Sequence, residues 1–366
     1  MREKKSEATG GTGISRRGLL AGAGGALAAT SVGPFIHIAR AQKRVVRAGF
    51  WTGVLAKMVR ERVAPWVEEK TGAQVIIEEG ITLDQLAKMR AERSNPQHTV
   101  MGIDDIAVSA AKKEGLIERL DPGEIPGMKE IYPEFILEDN HGAGMALNWS
   151  TVYYHTQKMA EPKSYREFWN AAYKGRIITP SIKPTQGFFF LIVASHLKTG
   201  KPVREAQYDV GPGFEMWKAL KPNLHSMYDS LNSAMPLLAQ GEGWLTFGSS
   251  RVAGSWLIRG APVARALVKE GTFMGLNCVS LVKGGPHPDV GKKIIERLLS
   301  PEVQAEFSAK ATTGPTNRTV KLAPDVAKWV PYGPEDLKEM HTAFDWNYIN
   351  TKRAEWTDRW NKEVAT

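Results

Sequence analysis

The residue types that most often carry catalysis do not occur at catalytic spacings in this 366-residue sequence. The histidines form neither a His-x-His nor a His-Glu-x-x-His pattern, the spacings that bring two imidazoles to one metal ion. No Gly-x-Ser-x-Gly elbow occurs, since "GSSR" at 248–251 lacks the closing glycine, and the single cysteine, Cys278, has no basic neighbour in sequence. We therefore predict binding without chemistry, no metal and no cofactor. Beyond residue 41 the histidines are His98, His141, His155, His196, His225, His287 and His341.

Polar and aromatic side chains that could hold a ligand follow several strand-like runs. In open α/β sheets, ligands bind at the carboxyl ends of strands, often against the first turn of the next helix. Such places are "GFWTG" at 49–53, "DD" at 104–105, "KPTQGF" at 183–188 and "TFGSSR" at 246–251. The candidate ligand-binding residues here are Phe50, Trp51, Thr52, Asp104, Asp105, Thr185, Gln186, Phe247, Ser249, Ser250 and Arg251.

Each candidate also has a purely structural interpretation. Trp51, at a strand end between two glycines, fits a core position as well as a ligand contact. Thr185 and Asp105 could serve only to cap helices. Arg251 could clamp a carboxylate through two parallel hydrogen bonds or could form an ordinary surface ion pair. The sequence alone leaves both interpretations open at each position.

The elements that must position these residues alternate between short apolar runs and helical patterns. Strand-like runs within 43–53, which ends in the "GFWTG" turn, at 73–80 and at 98–105 are separated by helical segments such as 55–70. This alternation predicts a mostly parallel sheet with helices on its faces. Cys278 lies in an apolar run and is expected to act as a small core residue.

Two longer extended runs, near 145–153 and 272–283, predict strands that cross between two lobes. Trp149 and Asn277 lie on these crossings and join the candidate ligand contacts. We expect residues 43–147 with 272–330 to form one lobe, residues 148–271 the other, and residues 331–366 a helical tail packed on the lobes. The tail tryptophans and the "FFFL" run are expected to be packing residues: Trp329, Trp346, Trp356, Trp360 and 188–191.

The first 41 residues have the layout of an export signal. A charged leader at 1–17 precedes an apolar stretch at 18–38, and "ARA" at 39–41 offers small residues for cleavage near Ala41. "SRRGLL" at 15–20 resembles a twin-arginine (Tat) signal, which predicts the twin-arginine export machinery as a partner. A membrane anchor is the alternative, but the glycines, the threonine, the serine, the proline and the histidine of the stretch make it a weak anchor.

The charge of the mature chain argues against a nucleic-acid partner. Cleavage after residue 41 removes six basic and two acidic residues and lowers the net charge from +9 to +5 on 325 residues. No long Lys/Arg run remains, so nucleic-acid binding is not predicted. No cysteine at the cleavage site could carry a lipid anchor, so we expect the mature protein to be free in the periplasm. We also expect it to be a monomer.

Three segments together resemble a known family. "PKSYREFWNAAYKGRIITPS" at 162–181, "AGMALNWSTVYYHTQKM" at 143–159 and "GGPHPDVGKKIIERLLSPEVQAEFSAKATTGPTNRTV" at 284–320 resemble ABC-transporter extracellular solute-binding proteins of family 1. The resemblance covers about 45–320 and is strongest to the polyamine- and iron-binding branch. It implies the α/β type II periplasmic binding fold, with two lobes joined by crossing hinge strands around a ligand cleft. It also implies a non-enzymatic protein that captures a small molecule and delivers it to an ABC-transporter permease.

The sequence departs from that branch at the positions expected to contact ligand. Polyamine-binding members use acidic residues, whereas this chain has Ser181, Ile182 and Lys183 after "RIITP" and Asn277 on the second crossing. The tyrosine pair of iron-binding members is represented only by Tyr228. We therefore expect a small organic solute with an anionic group, held by Thr185, Ser249 or Arg251. The alternatives are a polyamine ligand and a Tat-exported periplasmic enzyme; a structural or adhesive protein would not explain two lobes and paired crossings.

Overall fold

The computed structural model describes residues 44–338, 340–341 and 344–365. The predicted export signal at 1–41 lies outside the described residues. In the described part of the chain, helices and strands alternate as the sequence pattern predicts, and the mixed α/β class is confirmed. None of the helices described there combines the length and the apolar composition needed to cross a membrane.

One sheet runs through the described residues, in the order β2-β1-β3-β11-β6-β9-β7-β8. Strand β1 pairs in parallel with β2 and β3, and β7 pairs in parallel with β8 and β9. The two parallel groups are joined by long strands β6 and β11, which pair antiparallel with each other. The strands are β1 Val45–Trp51, β2 Gln74–Gly80, β3 His98–Asp104, β4 Ile117–Glu118, β5 Ile136–Leu137, β6 Gly142–His155, β7 Ile177–Pro180, β8 Leu224–Tyr228, β9 Leu245–Ser249, β10 Val263–Arg265, β11 Thr272–Val282 and β12 Met340–His341.

Helices cover the sheet and connect its parallel strands. Helices α1 and α2 are continuous through a π-helical turn at Val59–Val63, and α2 ends at Gly72, whose positive φ of 68° suits glycine. The helices are α1 Val54–Met58, α2 Ala64–Thr71, α3 Thr82–Ala91, α4 Asp105–Lys113, α5 Thr185–Thr199, α6 Val203–Ala206, α7 Gly211–Ala219, α8 Leu231–Gln240, α9 Ser250–Ile258, α10 Pro288–Leu299, α11 Pro301–Ala311, α12 Pro324–Ala327, α13 Gly333–Lys338 and α14 Trp346–Glu363.

The buried apolar side chains form separate clusters on the two parts of the sheet. One cluster takes residues up to Trp149 and from Met274 to Ala311, including the fully buried Cys278. The others take residues between Val152 and Phe273, and the larger of them also includes the buried face of α14. The change between clusters falls within β6 and β11. The boundaries of the two lobes themselves stay a prediction.

The "PTN" turn at 315–317 is a buried polar hub that fixes α11 to the sheet. Asn317 is 1% exposed, and its side-chain amide donates to Glu130 Oε2 at 2.8 Å and to the Leu299 carbonyl at 2.9 Å. The Gln304 side-chain oxygen accepts from the backbone amides of Thr316 and Asn317, while the Thr316 hydroxyl donates to the Gly144 carbonyl. The turn therefore ties a helix, a loop and β6 together.

Replacing Asn317 with alanine is expected to lower the free energy of unfolding by about 1–3 kcal/mol. The substitution leaves the carbonyl of the buried Leu299 without the Asn317 donor and removes one donor from the half-buried Glu130 carboxylate. An unsatisfied buried carbonyl is costly. Urea denaturation of the purified protein measures the change, with Asn95→Ala at an exposed position as the matched control. A loss no larger than that of the control would show that water replaces the amide at no cost.

Candidate functional site

Three strand-to-helix turns meet at one cavity beside the crossing strands. The first turn joins β3 to α4, the second joins β7 to α5, and the third joins β9 to α9. The cavity has a volume of about 80 Å³. At β7–α5 the approach is close because residue 187 is glycine: a Cβ there would overlap the Ser181 carbonyl oxygen. The lining residues are Asp104, Asp105, Ile106, Asn148, Ser150, Thr185, Gln186, Phe189, Ser249, Arg251, Gly275, Leu276, Asn277 and Trp346.

A relay of amides joins the crossing strands to the end of β3. The Asn277 amide group donates to Asp104 Oδ1 at 2.7 Å, and the Asn148 amide group donates to Asn277 Oδ1 at 2.8 Å. A carboxylate oxygen only accepts, so it fixes the orientation of the Asn277 amide, and Asn277 in turn fixes that of Asn148. Asn148 Oδ1 is left as a buried acceptor without a hydrogen-bond partner.

Trp51 supports Asp104 from the other side without reaching the cavity. Its indole N–H donates to the Thr82 hydroxyl at 3.1 Å, and that hydroxyl donates to Asp104 Oδ2 at 2.7 Å. Because an indole N–H only donates, the Thr82 proton is directed towards the carboxylate. Desolvation of Asp104 nevertheless raises the pKa of this carboxyl, against the lowering effects of Thr82 and the Arg251 charge.

Asp105 begins α4 next to Asp104. Its carboxyl accepts from the Ile106 amide at 3.0 Å and from the Trp346 indole N–H at 3.3 Å. Desolvation, followed by repulsion from Asp104, raises the pKa of Asp105 from 3.8 to about 7. With both pKa values raised, the pair holds a proton more readily than isolated carboxyl groups do, and Arg251 is the neighbouring positive charge.

Asp105→Asn is expected to stabilise the protein at pH 8 by on the order of 2 kcal/mol and to change stability little at pH 4. The folded-state pKa lies above the unfolded value, so Asp105 favours folding below about pH 4, and this contribution is lost as pH rises to about 7. Asparagine resembles the neutral acid at every pH. Denaturation at pH 4, 6 and 8 measures the effect, with exposed Asp84→Asn as control. A difference in unfolding free energy between Asp105→Asn and wild type that does not change with pH would contradict this prediction.

Arg251 forms the opposite side of the cavity, in the first turn of α9. In the described part of the chain its guanidinium makes no hydrogen bond or ion pair, and the residue is exposed. Arg251 also borders a second cavity of about 300 Å³, whose lining includes no acidic residue. The second cavity is lined by Thr52, Gly53, Val54, Leu55, Asn232, Arg251, Val252, Ser255, Lys310, Ala311 and Thr312.

The structure brings seven of the candidate residues to the smaller cavity and places Thr52 in the larger one. The seven are Asp104, Asp105, Thr185, Gln186, Ser249, Arg251 and Asn277.

Five candidate residues lie in neither cavity. Phe50 and Trp51 are buried because helices α1 and α3 pack against β1, and Phe247 packs among other aromatic rings. Trp149 is covered by the Arg265 guanidinium, 3.6 Å from its ring centre, and the Ser250 hydroxyl accepts from the Trp149 amide.

Several lining residues were not predicted from the sequence. Asn148 and Ser150 flank Trp149 on β6, and alternation along a strand turns them to the face opposite Trp149. Trp346, predicted as packing, lines the cavity and contacts Phe189, with ring centres 5.7 Å apart. Alternation could have indicated Asn148 and Ser150, whereas no local pattern indicates Trp346. The others are Ile106, Phe189, Gly275 and Leu276.

Comparison with known proteins gives one family and a set of similar folds. A family model described as bacterial extracellular solute-binding protein matches residues 64–333. An ABC-transporter structure from Clostridium perfringens is 23% identical, covers 88% of this chain and 100% of its own, and has a TM-score of 0.75. No curated protein matches the chain.

Two further structures share the fold and have named ligands or substrates. The spermidine/putrescine-binding protein PotD of Streptococcus pneumoniae is 15% identical, with a TM-score of 0.71 and coverage of 88% of this chain and 100% of its own. The protein AgtB of A. tumefaciens R10, in complex with agropinic acid, is 21% identical, with a TM-score of 0.67 and coverage of 89% and 100%. These likenesses confirm the type II periplasmic binding fold.

Proposed function

The chain belongs to the bacterial extracellular solute-binding proteins, and from that premise we propose that it captures a small organic solute and delivers it to an ABC-transporter permease. The solute binds where the β3, β7 and β9 turns meet the crossing strands. Residues 43–147 with 272–330 and residues 148–271 act as two lobes that close on it, since a ligand touching both favours the closed state. Residues 331–366 pack on these lobes.

The observation that supports an anionic group on the solute is the unpaired guanidinium of Arg251. The alternative from the sequence, a surface ion pair, is not formed with any described residue. A guanidinium at the border of two cavities can bind a carboxylate or phosphonate through two parallel hydrogen bonds. Thr185 and Ser249 lie on the same cavity and supply hydroxyl groups to the same anion.

A polyamine is the second candidate, favoured by Asp104 and Asp105. Both carboxyl groups line the smaller cavity, and a buried ammonium needs such partners. The structural similarity to PotD agrees with this candidate. Arg251 on the same cavity disfavours it, because a second ammonium group would lie close to a fixed positive charge.

An enzymatic role has no supporting feature among the described residues. They contain no group of three or more His, Cys, Asp or Glu side chains placed to hold a metal ion. Burial raises the pKa of the Cys278 thiol well above its usual value, which disfavours a reactive thiolate. We propose a receptor that binds and closes without turnover.

We place the mature protein in the periplasm as a monomer, exported by the twin-arginine route through residues 1–41. Replacing both Arg16 and Arg17 with lysine tests the route, because twin-arginine export depends on that pair. Loss of the protein from the periplasmic fraction, with unchanged synthesis, is the supporting result. Normal export of the double variant would assign the segment to another pathway.

A thermal-shift screen of the purified protein tests the receptor function. The probes are amino acids, small carboxylates, phosphonates, polyamines, sugars and ferric ion. A ligand at 100 times its dissociation constant adds about 2.7 kcal/mol of stability. A shift with one class, and recovery of that solute unchanged, supports the receptor. Conversion of the solute into product would instead establish the enzyme. If neither a shift nor a solute released on denaturation is found, the proposal fails.

A further inference from the structure

We propose that the solute is zwitterionic: an ammonium group binds in the smaller cavity against Asn148, Asp104 and Asp105, while the anionic group binds Arg251. This inference rests on the proposed receptor function and specifies its ligand class. The observations that support it concern Asn148, Asp104 and Asp105, which line the smaller cavity, and Arg251, which lines both cavities.

The first observation is the unpartnered oxygen of Asn148. Asn148 is 7% exposed and lines the smaller cavity, and its Oδ1 has no hydrogen-bond partner. The Asn148 amide group donates to Asn277, and the Asn277 amide group donates to Asp104. Turning over Asn148 alone would break the bond to Asn277, and turning over both amides would place the Asn277 oxygen against the Asp104 carboxylate. A buried acceptor without a donor costs free energy, which a ligand N–H would recover.

The second observation is that the side chains beside Asn148 add negative charge. Asp104 and Asp105 are adjacent in sequence and half-buried, and desolvation followed by repulsion from Asp104 raises the pKa of Asp105. An ammonium group bound beside them favours their charged forms. Trp346 and Phe189 add aromatic rings to the same cavity. Carbonyl and carboxylate oxygens next to aromatic rings bind an ammonium group through hydrogen bonds, charge and ring faces together.

The third observation is the difference in charge between the two cavities. The smaller one, about 80 Å³, holds a headgroup rather than a whole solute, because ligand pockets usually measure about 300–1,000 Å³. The larger one reaches about 300 Å³, and its charged lining residues are Arg251 and Lys310. Lys310 is already paired with Glu306, which leaves Arg251 for the anion.

A ligand with only one kind of charge can pair either with Arg251 or with the oxygen acceptors of Asn148, Asp104 and Asp105, but not with both. A simple anion binds Arg251 but leaves Asn148 Oδ1 unpartnered and brings further negative charge towards Asp104 and Asp105. A diamine satisfies the acceptors but places its second ammonium group near Arg251. A zwitterion pairs both ends with the opposite charge, so its advantage over either single-charge analogue is at least tenfold in affinity.

Calorimetry with matched probes tests the inference. The panel holds the proteinogenic amino acids, ω-amino acids of three to six carbons and aminoalkylphosphonates. The tightest zwitterion is then compared with its desamino acid, its decarboxylated amine and its N-trimethyl derivative. We expect each analogue to bind at least tenfold more weakly. The trimethyl compound keeps the charge but has no N–H for Asn148 Oδ1.

Variants separate the two ends of the ligand. Asp105→Asn is expected to weaken the zwitterion at least tenfold and the desamino acid no more than twofold, while exposed Asp84→Asn changes neither. The inference is overturned if no zwitterion in the panel binds, if the desamino acid or the amine binds as tightly, or if Asp105→Asn weakens zwitterion and desamino acid equally. A trimethyl derivative that binds as tightly as the parent would overturn the assignment to Asn148. The receptor function survives these outcomes if another solute class binds without turnover.

Discussion

Arg251→Gln is expected to weaken binding of the solute on the order of 100-fold. The guanidinium makes no hydrogen bond or ion pair within the described residues, so its charge is available to the ligand. Arg251 is exposed, and closure of the lobes on the solute is expected to desolvate its pair with the bound anion. Removing one partner of such a pair costs about 2–5 kcal/mol, and about 2.7 kcal/mol corresponds to a factor of about 100. Glutamine keeps much of the side-chain length and a hydrogen-bond donor, so the loss measures the charge. Calorimetry with the solute found by the thermal-shift screen gives the ratio.

The matched control is Arg259→Gln, directly after the end of α9. Arg259 is exposed and lines neither cavity, and its guanidinium is already bonded to the carbonyl and the hydroxyl of Ser255. We expect Arg259→Gln to change the affinity for the solute less than twofold. Equal affinity in wild type and Arg251→Gln would remove Arg251 from the site and with it the argument for an anionic ligand. Unchanged thermal stability of both variants would show that the effect arises in binding.

Phe190→Ala is expected to lower the free energy of unfolding by about 3–5 kcal/mol, as for other buried phenylalanines. Phe190 is fully buried in α5, with its ring centre 5.2 Å from those of Phe168 and Trp217 and 5.8 Å from that of Trp169. Alanine leaves a cavity that these large, interlocked rings fill poorly. Urea denaturation followed by tryptophan fluorescence measures the loss.

Two further variants make the Phe190 measurement interpretable. Phe190→Leu keeps an apolar side chain and is expected to cost less than alanine, because less volume is removed. Leu267→Ala, at a position 57% exposed, should change stability by no more than about 0.5 kcal/mol. A loss below about 1.5 kcal/mol for Phe190→Ala would mean that neighbouring rings collapse into the space.

The fold class and half of the residues that line the smaller cavity could be predicted from the sequence. The parallel strands follow from alternating apolar runs and helical segments, and the crossings at 145–153 and 272–283 correspond to β6 and β11. Because the parallel strands β7 and β9 end at one edge of the sheet, Thr185 and Arg251 converge without any contact being known in advance. Asp104 follows β3, which runs antiparallel to β7 and β9, so its approach to them depends on how β11 and β6 join the two parallel groups.

Which side chains reach the cavity depends on packing between elements. Trp51 and Asn148 both lie on strands, but Trp51 packs against Thr82 at the start of α3, while the pairing of β6 with β11 turns Asn148 towards Asn277 at the cavity. Trp346 is the first residue of α14 and lies far along the chain from the other residues that line the cavity. Local sequence patterns indicate helices, strands and turns through their periodicity and residue types. The direction in which a side chain points, and the position at which a distant helix packs, depend on contacts between elements that are remote in sequence.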